Sequence, residues 1–278
     1  MVTVRALNPR DLTAALALAS RHPVENVLLL AKMTTSGLEP VILGHEVLGA
    51  FGRRGRLLGL VSCSHSINPV ELDKAAVPAV AHHLSGVRQA GSVVGQRPMV
   101  LELWAELSRC RPEVWGQPRE VRERQPVLMI DHDPAVPVDP RVEPLGLDAV
   151  DAYFEAAVAM YTEELGLTPV ESTGGYRHHV EQLLRRGDGY GIWDGRRILF
   201  KADVAAASGP VCQVGGVWLA PDLRGRGLSA AAMAAVVRLC RRRWPIVSLY
   251  VNDYNTRALA LYRRLGFRSI NEFATIMW

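Results

Sequence analysis

The chain has 278 residues, of which 49% are hydrophobic and 22% charged, with a formal net charge of +4 at pH 7. The length suits one large or two ordinary domains, and the apolar fraction suffices for packed cores, which excludes a disordered chain. There is no uncharged apolar run of about 18 residues and no charged-then-apolar leader with a small-residue cleavage site, so a soluble cytoplasmic protein without a membrane span is expected. The modest positive charge can assist capture of a polyanion, yet no aromatic-basic stripe makes a case for nucleic acid. Cys63, Cys110, Cys212 and Cys240 are scattered without a C-x-x-C pair, a pattern of reduced buried thiols rather than disulfides or zinc. His82-His83 and His178-His179 are sequential neighbours that point to different sides of a helix, so no metal site is expected.

In chain order, Val2 to Ala6 alternates as a short strand, and Asn8-Pro9 reads as a helix cap followed by proline in the first helical position. Leu12, Ala15, Leu16 and Ala19 give that helix an apolar face. A second helix runs from Pro23 to about Met33 and stops at Ser36-Gly37; Glu46 to Cys63 reads as a hairpin about Arg53-Arg54-Gly55. Helices near Ala75 to Leu84 and Pro98 to Leu107 flank a short strand at Ser92 to Val94, and Val127 to Ile130 closes this half. Between Asp131 and Gly146, Pro134, Pro137, Pro140 and Pro144 remove backbone donors and favour extended chain, which places a linker at 134–145.

Beyond it, Val150, Tyr153, Phe154, Ala157, Val158, Tyr161 and Leu165 recur at helical spacing, with Gly166 and Pro169 as the stop. Tyr176, Val180, Leu183 and Leu184 mark another helix, ended at Gly187. Tyr190 to Trp193 and Arg197 to Ala207 are strands about Asp194-Gly195, where both turn residues tolerate positive φ. Ser208-Gly209-Pro210 then leads into Val211 to Ser229, VCQVGGVWLAPDLRGRGLS, a hydrophobic strand that breaks at Pro221 into an arginine-glycine loop and then a helix.

That loop reads as a pyrophosphate site. Gly225 and Gly227 let the main chain approach a ligand, and the helix after them offers unpaired N–H groups and a positive dipole end. Arg224 and Arg226 add charge, and a guanidinium can grip phosphate oxygens through parallel hydrogen bonds. The loop alone also satisfies a dinucleotide fingerprint, Gly225-x-Gly227-x-x-Ala230 with Asp253 after the next strand. A doubly wound dinucleotide fold opens with its glycine loop, however, and here only about one crossover and a strand can come after it. A Walker loop is excluded because no Lys-Ser or Lys-Thr pair succeeds the glycines.

The rest of the chain reads as a strand at Ile246 to Val251, a turn at Asn252 to Asn255, a helix at Thr256 to Leu265, then Gly266-Phe267 and a final strand. With the V-x-L-A-P-x-x-R-G-x-G run at 217–227, Asn255, Ala258, Leu261-Tyr262 and Gly266-Phe267, the chain resembles the GNAT superfamily of acyl-CoA-dependent N-acyltransferases. The family pattern ends here in Ser229, a small residue that can support the first helical turn. Both halves share one order: two helices, an antiparallel hairpin, a helix, a strand, a helix and a final strand. With Tyr161 to Gly166 and Gln125-Pro126, the chain over nearly its whole length resembles GNAT proteins in which an uncharacterised N-terminal domain precedes an active C-terminal one. The expected fold is therefore mixed α/β of the α+β type: tandem GNAT-like domains, each a mostly antiparallel central sheet with flanking helices. Residues 1–133 form the degenerate copy, since His65 to Asp73 has no R-G-x-G loop and carries Pro69, Glu71 and Asp73, and 146–278 form the catalytic domain.

The resemblance implies direct transfer of an acyl group from acetyl-CoA or another acyl-CoA to an amine of a small molecule, amino acid or peptide. The chain would act as a monomer or homodimer, without metal, nucleic acid or membrane. It implies that backbone groups of Val217, Trp218 and Leu219 bind the pantetheine and thioester, that Arg224, Gly225, Arg226, Gly227, Leu228 and Ser229 hold the pyrophosphate, and that Asn255 caps the next helix beside the cofactor. An N–H near Leu219 would polarise the thioester carbonyl, and Tyr262 would protonate the departing thiolate. The strand position where the family often has glutamate is Gln213, which can only position a water. Glu163 and Glu164, at the end of a helix bordering the acceptor cleft in this fold, are the substitute bases, with Glu164 preferred. The rival class is a silent acyl-CoA-binding regulatory module, which would bind CoA without thioester turnover.

Overall fold

The computed structural model of the chain describes residues 2–86, 90–166 and 175–278. Its strands are β1 (Thr3–Ala6), β2 (Glu46–Phe51), β3 (Leu57–Cys63), β4 (Ser66–Val70), β5 (Ser92–Gln96), β6 (Glu120–Ile130), β7 (Glu143–Pro144), β8 (Gly189–Trp193), β9 (Ile198–Ser208), β10 (Val211–Leu219), β11 (Ile246–Tyr250) and β12 (Arg268–Met277). The helices are α1 (Leu12–Ala19), α2 (Val27–Ser36), α3 (Pro40–Leu43), α4 (Val77–Leu84), α5 (Arg97–Cys110), α6 (Pro112–Trp115), α7 (Val150–Leu165), α8 (Gly175–Arg185), α9 (Leu228–Arg241) and α10 (Thr256–Leu265). They form two compact units, one of Met1–Val127 with Tyr250–Asn255 and Ser269–Trp278, the other of Leu128–Leu249 with Thr256–Arg268. Each is a mostly antiparallel sheet with flanking helices. Pro169, expected as part of a helix stop, and the side chain of Leu165, expected on an apolar helix face, lie outside the described residues.

In the first unit the sheet order is β1-β2-β3-β4-β5-β12, with β6 beyond β12. From β1 to β12 the ladders are antiparallel except for β4 with β5. Because side chains alternate across a strand, neighbours on β2 and β3 feed opposite cores. Leu48 and Val61 pack with α4 and α5 residues such as Val80, Leu103 and Leu107, while Val47 and Leu60 pack with Ala15, Leu29 and Met33 of α1 and α2. Asn8 caps the turn before α1 as expected: its side chain accepts from the Arg10 N–H (3.0 Å) and its own N–H donates to Asp11 (3.0 Å). The stretch His65 to Asp73, expected as a loop, contains β4. Pro69 and the polar residues hide the strand in the sequence, but Ile67 and Val70 are buried in the two opposite cores. The strand β6 begins earlier than the apolar run Val127 to Ile130 suggested. Its polar residue Gln125 is buried by pairing, donating to Asn252 (2.8 Å) and accepting from Thr275 (2.6 Å).

In the second unit the sheet order is β7-β8-β9-β10-β11, antiparallel except for β10 with β11. Helices α7 and α8 bury Tyr153, Ala156, Ala157, Val180, Leu183 and Leu184 against Leu145 and Ile198. The Asp194-Gly195 turn forms as expected, with Gly195 at φ +89° and the Asp194 carboxylate accepting from the N–H groups of Arg196 and Arg197 (2.9 Å each). The proline-rich stretch expected as a linker is packed into this unit. Val142 and Leu145 are buried, Glu143–Pro144 pair with β8, and the Asp139 N–H donates to the Ala231 carbonyl (2.9 Å). Prolines lack donors, but the residues between them supply both donors and apolar side chains. The C-terminal residues 269–278, expected in the catalytic domain, group with the first unit, where β12 pairs with β5.

The close approach of β3 to the chain after β4 can be tested at Gly59. A Cβ there would lie 2.6 Å from Leu72 Cα, so Gly59→Ala forces backbone apart. The expected loss is about 1–3 kcal/mol, read as a lower urea midpoint with an unchanged m-value.

Candidate active site

Strands β10 and β11 part company early. They pair in register only at Val211 with Ile246, Cys212 with Val247 and Gln213 with Ser248, although β10 continues to Leu219. From Val214 onward this edge of β10 has no registered partner in β11, and its main-chain groups must find other partners. On its other edge β10 runs along β9 with a bulge: Gly215 faces Asp203 and Trp218 faces Lys201, so Gly216 and Val217 share one opposing residue. Gly216 takes φ +58° there.

Pro221–Leu223 then make one 3-10 turn, and Gly225 and Gly227 adopt φ +77° and +76°. A Cβ on either glycine would meet nothing within 4 Å. Backbone conformation therefore selects these glycines, and the space in front of the main chain is open. Gly227 is the N-cap of α9 and supplies no side-chain cap, so the first N–H groups of that helix face outward from an uncapped, positive end. The corresponding helix in the first unit starts differently. Asp73 caps the turn before α4, its carboxylate accepting from the Ala75 N–H (2.9 Å), and Glu71 is occupied by His22 (2.7 Å) and Asn26 (3.0 Å).

The two loop arginines have different roles. Arg224 is a strut: Nε donates to the Leu219 carbonyl (2.9 Å) and Nη2 to Glu163 (2.7 Å). Glu163 also accepts from the Trp218 indole (3.3 Å), so both of its carboxylate oxygens tie α7 to the end of β10. Arg226 is exposed and has no hydrogen bond or ion pair among the described residues, which leaves its guanidinium available to an anion. Leu228 and Ser229 form the first turn of α9, half-buried.

Tyr262 is buried on α10, its ring 5.6 Å from that of Phe267. Burial, with a smaller contribution from Glu164, pushes its hydroxyl up to about 12, so it holds its proton at neutral pH. Glu164 is exposed near the end of α7, and its charge contributes, after burial, to the raised values of the Tyr262 and Tyr176 hydroxyls. Gln213 is buried at the last registered pair of β10 with β11. Asn255 stands directly before α10 and groups with the first unit, where its N–H donates to the Asn252 carbonyl (3.0 Å).

A buried polar cluster beneath the bulge was not foreseen from the sequence. Lys201 is fully buried, and its ammonium contacts Asp203 (3.0 Å) and the Gly216 carbonyl (2.9 Å). The Tyr153 hydroxyl donates to the other Asp203 oxygen, and the Tyr153 ring lies 5.1 Å from the ammonium. The available signal was a Lys and an Asp two apart inside an otherwise apolar strand, which puts both on one face.

The parallel pair that opens after Gln213, the glycine loop and the helix without a side-chain cap lie within a fold shared with solved GNAT-family proteins. Residues 188–267 match the model of the Acetyltransferase (GNAT) family, and residues 45–153 match a domain of unknown function, DUF4081. Residues 188–267 are thus similar to a GNAT domain. A solved GNAT-family acetyltransferase from Colwellia psychrerythraea is similar over 99% of each chain, with 11% identity and a TM-score of 0.59. A GCN5-related N-acetyltransferase from Sphaerobacter thermophilus is similar over 99% of this chain and 94% of its own, with 18% identity and a TM-score of 0.62. A tandem GNAT protein from the clavulanic acid biosynthesis pathway is similar over 99% and 98%, with 13% identity and a TM-score of 0.53. At these identities the likeness is one of fold. No curated protein sequence matches the chain at a significant level.

The buried Tyr262 hydroxyl has a pH signature. Its ordinary value is 10.0 and its folded value about 12, so below about pH 10 both folded and unfolded chains are protonated and this group adds no pH dependence. Between about pH 10 and 12 the unfolded chain ionises first, and stability falls as pH rises. In urea titrations across that window, the midpoint of Tyr262→Phe should fall less steeply than that of the wild type.

Proposed function

We propose that this chain is an N-acyltransferase that moves an acetyl or other acyl group from acyl-CoA directly to an amine of a small molecule, amino acid or peptide. The observation that carries the reading is the opening of β10 from β11 after Gln213, in a strand that runs straight into the open glycine loop and uncapped α9. A GNAT domain and fold support acyl transfer in general. In this reading, main-chain groups of Val217 to Leu219 take the pantetheine and thioester, and the N–H groups at Gly225 to Ser229 with Arg226 take the pyrophosphate. The amine nitrogen attacks the thioester carbon, the C–S bond breaks, and the amine loses a proton while the sulfur gains one. Tyr262, protonated and buried, is the proton donor to sulfur. Glu164 takes the amine proton, directly or through water. One observation favours the silent acyl-CoA-binding reading: the buried strand position at Gln213 carries an amide instead of a carboxylate.

Turnover separates the two. With acetyl-CoA and a panel of amines, amino acids and N-terminal peptides, amine-dependent thiol release is expected, falling about tenfold or more in Tyr262→Phe, a loss in the lower range for a general acid. Saturable CoA binding without release on any amine would favour the silent module. In calorimetric titration with CoA, Arg226→Ala should weaken binding roughly tenfold, as for one charge-assisted contact, and an unchanged affinity would remove Arg226 from the phosphate site.

A further inference from the structure

A buried ammonium is tolerated only when its charge and its donors are satisfied. Lys201 is 0% exposed, and Asp203 supplies the opposite charge at 3.0 Å. Another of its contacts is the main-chain carbonyl of Gly216 at 2.9 Å, which belongs to the bulge of β10. Asp203 is itself fixed, one oxygen by Lys201 and the other by the Tyr153 hydroxyl, so both of its oxygens are engaged inside the cluster. The bulge fits this pair and nothing larger: a Cβ on Gly216 would lie 2.1 Å from the Asp203 carboxylate and 2.9 Å from the Lys201 ammonium.

The carbonyl of Gly216 and the N–H of Val217 belong to one trans peptide and point in opposite directions. By holding the carbonyl, Lys201 aims the Val217 N–H away from the buried cluster. A cation on the carbonyl oxygen also polarises the peptide and makes its N–H a stronger donor. This peptide lies in the part of β10 that has no registered partner in β11.

We propose that Lys201 and Asp203 are a positioning pair for acyl transfer: the neutralised ammonium orients and polarises the Gly216–Val217 peptide so that the Val217 N–H receives the charge developing on the thioester carbonyl. The contribution of Lys201 is electrostatic and geometric. The inference rests on the acyltransferase reading and adds two residues and a donor to it.

The test uses the full chain, with CoA as the binding probe and acetyl-CoA with the amine panel as the turnover probe. Lys201→Met removes the ammonium, and Lys201→Met with Asp203→Asn removes both charges, so that no unpaired carboxylate is left to unfold the protein. In whichever variant retains the wild-type circular dichroism spectrum, CoA affinity should stay within about threefold while kcat falls about thirtyfold or more, approaching the loss for an oxyanion donor. A folded variant with kcat within about twofold of the wild type overturns the positioning role. So does a parallel fall in CoA affinity and kcat, which marks a purely structural role, as does failure of both variants to fold. Wild-type protein that binds no CoA and releases no thiol would overturn the acyltransferase reading and this inference with it, an outcome distinct from active wild type with active variants.

Discussion

A sheet satisfies its main-chain donors and acceptors by continuous ladders, and β10 gives up one of its ladders after Gln213 while keeping the other, with a bulge, as far as Leu219. Such an edge is costly inside a sheet unless something else meets it, and the second unit is built around that debt of hydrogen bonds. The same strand then leads into two left-handed glycines and a helix without a side-chain cap. The unmatched groups of strand, loop and helix succeed one another along a single stretch of chain, the arrangement an extended ligand with an anionic end can satisfy.

The first unit shows what happens to the same order of elements when that requirement is absent. It too has a parallel pair, β4 with β5, and a helix after the first of these strands. There the connection closes on itself: Asp73 caps the turn, and Glu71 holds His22 and Asn26. Carboxylates occupy the place where the second unit has glycines and Arg226. An acidic, self-satisfied connection repels a phosphate and leaves little main chain to bind it.

Local patterns were legible because each rests on a few neighbouring residues. The Asn8 cap, the Asp194-Gly195 turn and the glycine loop all formed at the expected positions, since φ preferences and short side-chain-to-backbone bonds act over a few residues. Strand β4 was not legible, because its polar residues and Pro69 mask a segment whose burial is set by β3 and β5 on either side. The proline-rich stretch misled for a related reason: proline content reports the missing donors, not whether Val142 and Leu145 find a core.

Spacing along the chain was enough to specify local features: Pro221, the glycines at 225 and 227, and Tyr262 with Phe267 encode a loop, a helix start and a buried phenol. Which partners the charged residues meet depended on the folded arrangement. Glu163 meets Arg224 across 61 positions of chain and becomes a strut, while Lys201 meets Gly216 across 15 and Tyr153 reaches Asp203 across 50. Those contacts have no periodicity to read, because a charge acts on whatever the fold brings within a few ångströms of it, and in a dry interior that neighbour decides whether it can be buried at all.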